Sequence, residues 1–370
     1  MPVSLIRRTR TAVPALLSAG LLLSLAMRGY PQSSPQVHND PRVTSAVKKI
    51  ELYAAKAGHG DEAVNDVYAM SQNAISHLAA VGRPAVPQIE SVVDDPSEDA
   101  KVKAMMCEAL GRINGPKSAA LLTRVLRDQR QDQFVRAVAG HALAGLRRPE
   151  SARALEAVVA DPSVPMVIRS RTMMAIGAHG LDDVDWLKRA AVGDGIGLPP
   201  STDAHITQQE GILMLNAQRA LGASDDPRAL DAILDLQSRY PTNAVLTDIL
   251  KRKKNPRSIL VLLRVLTYKN PKGFTSDAMI VAAEALGEMK AERAVEPLIA
   301  IVEHDKNMVF VEWAARALAE IGDKRAIPPL RKVVAGAHND PRFTKNDLDE
   351  RISWSTIADL KRSLNRLERE

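Results

Sequence analysis

The chain has 370 residues, of which 45% are hydrophobic, 25% charged and only 3% aromatic, and its formal net charge at pH 7 is +6. This length is too great for one compact hydrophobic core, yet no sharp change in composition divides the chain into separate domains. Three of the positive charges are arginines within the first ten residues, so the rest of the chain carries only about +3, and we expect no nucleic acid partner.

The N-terminus has the features of a secretory signal. A basic start precedes an apolar run over residues 12–27, which is short for a membrane span, and Ser24-Leu25-Ala26 offers a small-x-small cleavage site. We predict a signal peptide over residues 1–26, a polar linker over residues 27–40, and export to the periplasm or secretion. Two alternatives are a buried first helix and an uncleaved anchor that tethers the protein to a membrane.

Beyond the linker, the chain repeats a unit of about 32 residues. Each unit reads as an apolar helix that ends near a small residue, a short turn, a basic residue and a second apolar helix. One further unit is centred on Lys251, where a long charged residue replaces the small one, so there are about eight units. The small residues recur at Ala79, Gly111, Ala144, Gly177, Gly222, Gly287 and Ala319.

Two consecutive units near the C-terminus have the most specific sequence pattern. Leu286-Gly287 is followed by Arg293-Ala294-Val295-Glu296-Pro297-Leu298, and the frame returns with Leu318-Ala319 and Arg325-Ala326-Ile327-Pro328-Pro329-Leu330. These segments resemble HEAT repeats of the kind found in phycobilisome lyases. The resemblance implies an all-α fold, an α-solenoid of about eight HEAT-like helical hairpins over residues 41–342. Helical caps are expected at both ends, because an open end would leave the core exposed, and the C-terminal cap is predicted over residues 343–370.

The regular spacing is interrupted once, and one turn is strongly basic. The insertion loop over residues 193–204 contains the glycines of a phosphate loop but lacks its preceding strand and its Lys-Ser/Thr pair, so we interpret it as a surface loop. Lys251, Arg252, Lys253 and Lys254 form the densest basic cluster. This cluster fits either an acidic or lipid-headgroup partner or a solvated helix end, where the helix dipole favours cations.

Few residues in the sequence suggest chemistry. Cys107, the only cysteine, lies in a helix that packs, and we interpret it as a buried, inert thiol. His77, His141 and His179 occupy different places in their units, which argues against a metal site. The chain also has no His-Glu dipeptide of the kind used by the HEAT-like iron enzyme deoxyhypusine hydroxylase. We therefore predict no metal, no cofactor and no enzymatic activity.

The predicted partner surface follows from the resemblance, because the second helices of HEAT-like units line the concave face. Charges of both signs on these helices suggest a protein or peptide partner. The main prediction is an exported, non-catalytic scaffold or adaptor. The alternatives are a bilin-lyase-like or chaperone-like factor that acts on a protein-bound cofactor, and a regulator tethered to the membrane through residues 12–27. The candidate contact residues are Arg124, Arg127, Glu156, Asp235, Arg264, Glu303, Arg331 and Lys332, together with Lys251, Arg252, Lys253 and Lys254.

Overall fold

The computed structural model describes residues 40–57, 61–180, 183–198, 208–269, 271, 275–343 and 347–369, which are helical or lie in turns and short connections. The predicted signal peptide, the linker up to residue 39 and residues 199–204 of the insertion loop lie outside the described residues. None of the described helices combines the length and apolar character that a membrane span requires. The α-helices are α1 (Pro41–Lys56), α2 (Asp61–Val81), α3 (Val86–Asp94), α4 (Ala100–Ile113), α5 (Pro116–Arg127), α6 (Gln133–Gly145), α7 (Pro149–Ala160), α8 (Met166–His179), α9 (Val184–Ala190), α10 (Gln208–Ala223), α11 (Pro227–Arg239), α12 (Ala244–Lys253), α13 (Ile259–Leu266), α14 (Asp277–Glu288), α15 (Val295–His304), α16 (Met308–Ile321), α17 (Ile327–Gly336) and α18 (Asp347–Arg369).

The helices from α2 to α17 form eight successive pairs. The even-numbered helices from α2 to α16 are the first helices of the pairs, and each packs against the next to form a continuous first-helix row. The odd-numbered helices from α3 to α17 are the second helices and form the second-helix row. At the ends, α1 packs on α2 and α4, while α18 packs on α16 and α17. The predicted all-α solenoid of about eight hairpins with helical caps is therefore confirmed.

The small residue near the end of most first helices lets neighbouring first helices approach closely. A Cβ atom at Gly177 would lie 3.0 Å from the Cβ atom of Ala220 on the next first helix. A Cβ atom at Gly287 would lie only 2.7 Å from the Cα atom of Ala317. These distances are too short for a larger side chain without a backbone shift, which explains why the repeat returns to a small residue.

Acidic residues fix the start of many helices, as two second-helix turns show. The side chain of Asp226 accepts a hydrogen bond from the backbone N–H of Arg228 at 2.8 Å, and Asp323 accepts one from Arg325 at 2.9 Å. Each carboxylate therefore satisfies an amide that would otherwise lack a partner at the helix N-terminus. The guanidinium group of each arginine also pairs with the same carboxylate, which lowers the pKa of Asp226 and Asp323.

The described half of the insertion loop packs against the preceding unit instead of standing away from it. Gly197 has a φ angle of +58°, and a Cβ atom there would lie 2.3 Å from the carbonyl oxygen of Ala160. Ile196 is fully buried, and its carbonyl oxygen accepts a hydrogen bond from Arg169. The Nε atom of Arg169 also donates to the carbonyl oxygen of Val159 at 2.8 Å. These contacts hold the loop on the C-terminal end of α7.

Helix α18 covers the apolar end of the last hairpin. Its residues Leu360 and Leu367 are at most 1% exposed. Polar contacts also fix its position, because Arg316 pairs with Asp359 at 2.9 Å and Lys324 Nζ donates to the carbonyl oxygen of Leu367 at 2.8 Å. The cap is therefore bound by both apolar burial and directional contacts.

Candidate functional site: a cleft on the first-helix row

A cleft of about 550 Å³ lies on the first-helix row between α2, α4, α6 and α8. Cavities of about 300–1,000 Å³ are typical of sites that bind small molecules and cofactors. We call this cavity the first-helix cleft. Its lining residues are Tyr68, Met105, Glu108, Phe134, Ala137, Val138, His141, Arg171, Met174, Ala175 and Ala178.

The lining of the cleft is mainly apolar, although several of its side chains reach solvent. Met174 is 58% exposed and Tyr68 is 41% exposed. Helix α8 also buries Met173 and Ile176 in the core, so it carries apolar side chains on both its inner and outer faces. A contiguous group of exposed apolar side chains on a protein surface usually marks a binding site.

Polar groups lie among these apolar side chains. The Glu108 carboxylate is 3.4 Å from Arg112 Nε, and Nη2 of Arg112 donates to Gln72 at 2.6 Å. Arg171 is exposed and has no ion-pair partner within the described parts of the chain. Among the described residues, the cleft therefore offers one cation without an ion pair, which can bind an anionic ligand, and one carboxylate that can accept hydrogen bonds.

Two histidines meet beside the cleft. The Nε2 atoms of His141 and His179 are 3.3 Å apart, and their ring centroids are separated by 4.6 Å. Burial lowers the pKa of His179, and the nearby His141 and Arg147 lower it further. The contact between this pair was not predicted from the sequence. The two residues occupy different places in their units, but His141 on α6 faces the C-terminal end of α8.

The predicted contact residues of the second-helix row mostly pair with other charges of the protein. Arg124 contacts Asp94 at 2.7 Å and Glu90 at 3.0 Å, and hydrogen bonding to Asp94 raises the pKa of Arg124. Glu156, Asp235 and Glu303 are partly buried, not fully exposed as the sequence suggested. The other ion pairs are Asp235 with Lys188 and Arg239, Glu303 with Lys332, and Arg331 with Glu368.

Three predicted contact residues, Arg127, Glu156 and Arg264, have no ion pair with another described residue. Burial raises the pKa of Glu156, and the charge of Asp183 raises it further. The twelve predicted contacts thus lie along the second-helix row and at the end of α12, and the structure does not gather them into one site. Their role in binding a partner stays a prediction.

The basic cluster is also held within the protein. Lys251 contacts Glu284 at 2.5 Å and Lys254 contacts Glu288 at 2.8 Å, which ties the end of α12 to α14. Arg252 pairs with Asp248 at 2.9 Å, and Lys253 donates to the carbonyl oxygen of Ser224 at 3.4 Å. These contacts favour the structural interpretation of the cluster over a partner site.

Cys107 lies on α4, below the cleft, and is fully buried. Burial raises the pKa of its thiol to about 12, so the thiolate form is absent near neutral pH. The prediction of a buried, inert thiol agrees with this environment. The first-helix cleft, by contrast, was missed from the sequence, although apolar residues on both faces of α6 and α8 signal that their outer faces are unusual.

Comparison with known proteins identifies the repeats. A family model of HEAT repeats matches residues 66–144, 86–177 and 275–344. Over 60 residues the chain is 42% identical to the bilin biosynthesis protein PecE of Nostoc sp. (strain PCC 7120). That match covers 16% of this chain and 24% of PecE, so the chain spans about a quarter of the length of this relative.

Two solved structures resemble the chain over most of its length. The complex of CpcE and CpcF of phycocyanin lyase from Nostoc sp. is 16% identical, covers 90% of this chain and 98% of that chain, and has a TM-score of 0.28. Human deoxyhypusine hydroxylase in complex with glycerol is 20% identical, covers 89% of this chain and 98% of that chain, and also has a TM-score of 0.28. With such low TM-scores, these two likenesses support no statement about activity.

The comparisons correct one prediction. The expectation of a protein without enzymatic activity is wrong, because a 60-residue segment of the chain is 42% identical to a bilin biosynthesis protein. That expectation was based on the absence of catalytic and metal-binding motifs from the sequence. A cleft lined by side chains from four helices produces no continuous sequence motif. The chain therefore contains HEAT repeats over residues 66–177 and 275–344, and a 60-residue segment of it is similar to PecE.

Proposed function

We propose that the protein is a bilin-lyase-like or chaperone-like factor that holds an open-chain tetrapyrrole in the first-helix cleft while the cofactor is attached or delivered to a carrier protein. The observation that carries this proposal is the cleft itself, with its apolar lining, an arginine that has no ion pair among the described residues, and a carboxylate. The match to a bilin biosynthesis protein supports the same class of ligand.

The chemistry of a bilin fits the residues of the cleft. Its conjugated rings are flat and apolar, and they can pack against Phe134, Val138 and Met174. Its carboxylate side chains require a cation, and Arg171 supplies a guanidinium group with no ion pair to another described residue. Its pyrrole N–H groups require acceptors, and Glu108 supplies a carboxylate. The chain therefore has groups for each part of the ligand.

The catalytic contribution expected from such a site is positioning. A cofactor held in one orientation reacts faster with an incoming side chain, because binding has already removed most of its translational and rotational freedom. The exposed apolar side chains around the cleft give the carrier protein a surface beside the bound cofactor. We propose a protein partner for this reason, in agreement with the two-protein complex of the phycocyanin lyase structure.

Titration of the purified chain with biliverdin tests the proposal. We expect a saturable change in the absorbance spectrum at one ligand per chain, because transfer from water into an apolar cleft alters the conformation and surroundings of the pigment. Phe134→Ala and Arg171→Ala should each weaken binding by about tenfold. The control is Arg264→Ala, which removes an exposed arginine from the second-helix row. A wild-type spectrum that does not change, or cleft variants that bind like the control, would contradict the proposal.

Export stays a separate proposal that concerns residues outside the described part of the chain. A signal peptide over residues 1–26 would place this activity in the periplasm or outside the cell, whereas an anchor over residues 12–27 would place it at a membrane. The intact mass of the protein isolated from its native host distinguishes the two, because only cleavage removes the first 26 residues. Recovery in the membrane fraction with an uncleaved mass would support the anchor.

A further inference from the structure

The histidine pair beside the cleft has the geometry of two ligands on one metal ion. The rings of His141 and His179 are held by neighbouring helices, with their planes inclined at 61° and their Nε2 atoms 3.3 Å apart. The ring of His179 lies over Gly145, one turn after His141 on α6, where a Cβ atom would be 3.5 Å from its Cε1 atom. The ring of His179 is therefore packed against α6, while His141 lies on the exposed surface of the same helix.

The separation of the two nitrogens distinguishes between coordination geometries. Zinc–nitrogen bonds of about 2.0–2.1 Å in a tetrahedron place two nitrogens about 3.3–3.4 Å apart. Two adjacent positions of a square-planar or octahedral ion with similar bonds lie about 2.9 Å apart. The 3.3 Å separation therefore matches two corners of a tetrahedron, and it is also within reach of a direct N–H···N hydrogen bond between the rings.

The charges around the pair allow a cation to bind. Burial favours the neutral form of His179, and a neutral imidazole has the lone pair that a metal needs. Arg147 lies close enough to oppose a cation, and Arg171 adds a second positive charge in the cleft. The negative charge of Glu108 attracts a cation and so opposes the effect of the two arginines. The C-terminal ends of α6 and α8 also favour a cation, since both helices end beside the two rings and carry partial negative charge there.

We infer that His141 and His179 form a two-histidine site for a tetrahedrally coordinated divalent metal ion, with zinc as the best fit. The other two positions are filled by water or by nitrogen and oxygen atoms of a molecule in the first-helix cleft. Within the described residues no group of three or more histidine, cysteine or acidic side chains is placed to hold a metal. The affinity should therefore be lower than that of structural zinc sites, which have four protein ligands. This inference goes beyond the proposed function and does not depend on it.

Zinc titration of the full chain tests the inference. Tag-free protein, stripped with EDTA and dialysed, is titrated with zinc chloride at pH 7.5 in a calorimeter. We expect one zinc ion per chain, and His141→Ala and His179→Ala should each lower the association constant by about tenfold or more. The control is His304→Ala, which removes an exposed histidine from α15 and should leave binding unchanged. Circular dichroism checks that each variant is folded.

Cobalt(II) provides a readout that needs no variant. A tetrahedral cobalt site absorbs visible light strongly, whereas the octahedral aqueous ion absorbs weakly, so wild-type protein should gain intense visible bands that zinc then displaces. The inference is overturned if wild-type protein binds neither ion, if the cobalt spectrum stays that of the aqueous ion, or if the double histidine variant binds zinc like wild type. In each of these cases the rings form a hydrogen-bonded pair only.

The two proposals fail independently. The zinc titration contains no tetrapyrrole, so its failure leaves the biliverdin result unchanged. The biliverdin titration is carried out on EDTA-treated protein, so its failure leaves the metal site unchanged.

Discussion

The two helix rows of this solenoid expose different kinds of side chain. Along the second-helix row, charged side chains pair with charges of neighbouring units, as Arg124 does with Glu90 and Asp94. On the first-helix row around α6 and α8, large apolar side chains such as Met174 reach solvent, and Arg171 has no ion pair within the described residues. Exposed charge on a repeat protein can therefore hold the repeats together. Exposed apolar surface beside a cation with no ion pair among the described residues is the better sign of a ligand.

The first-helix row is also more closely packed at its glycines than the second-helix row. We therefore expect glycine substitutions there to give the largest change in unfolding free energy. We expect Gly287→Ala to lower the free energy of unfolding by about 1–3 kcal/mol, because the added Cβ atom would lie 2.7 Å from the Cα atom of Ala317. The matched variant on the second-helix row is Gly336→Ala, where no atom lies within 4 Å of the added Cβ. This variant should be neutral or stabilising by up to about 1 kcal/mol. Urea denaturation measures both, and equal losses would remove the distinction between the rows.

An ion pair of the second-helix row should contribute less than this packing. We expect Arg124→Ala to cost about 0.5–1 kcal/mol of unfolding free energy at low salt, since its contacts with Glu90 and Asp94 are partly exposed. The loss should shrink in about 1 M salt, where the Debye length is about 3 Å. Biliverdin affinity should stay unchanged. A variant that loses biliverdin but keeps its stability would instead make Arg124 a ligand contact.

Much of the fold could be predicted because the repeat imposes the same packing problem in each unit. The small residues set the register of the repeats. The unit around Lys251 lacks its small residue, but the repeat spacing predicted it, and α12 ends at this position. The cleft could not be predicted in the same way. His141 and His179 meet across two helices, and nothing in their spacing within a unit shows that they touch. The predicted second-helix contacts came from assumed exposure, while the structure pairs most of them.

Burial of His179 should make the stability of the protein depend on pH. The folded-state pKa of His179 lies below its ordinary value of 6.5, chiefly because of burial. The unfolded chain therefore takes up this proton more readily, so the contribution of His179 to stability is fully present above about pH 6.5 and is lost as the pH falls towards the folded pKa. We expect His179→Gln to flatten the decline of unfolding free energy as the pH falls below about 6.5. His304→Gln should leave the decline unchanged, and an identical slope in both variants would refute the assignment.

The smallest effect on stability is expected at Met174, an exposed apolar residue of the cleft. Met174→Ser should change the free energy of unfolding by less than about 0.5 kcal/mol, because the side chain is already 58% exposed. Biliverdin affinity should nevertheless fall by about fivefold, since the ligand loses an apolar contact. Thermal denaturation and the absorbance titration check the two expectations on one sample. A large loss of stability with unchanged affinity would make Met174 a structural residue.

Helix α18 determines where the array stops. A stack of similar hairpins has no intrinsic length, because each unit leaves on its far side the same kind of apolar surface that it covers on its near side. Leu360 and Leu367 of α18 occupy that surface on the last hairpin, and Asp359 is bound to Arg316 beneath them. Without α18, the apolar surface of the last hairpin would be exposed to solvent. That surface could bind another copy of the protein, which would start polymerisation.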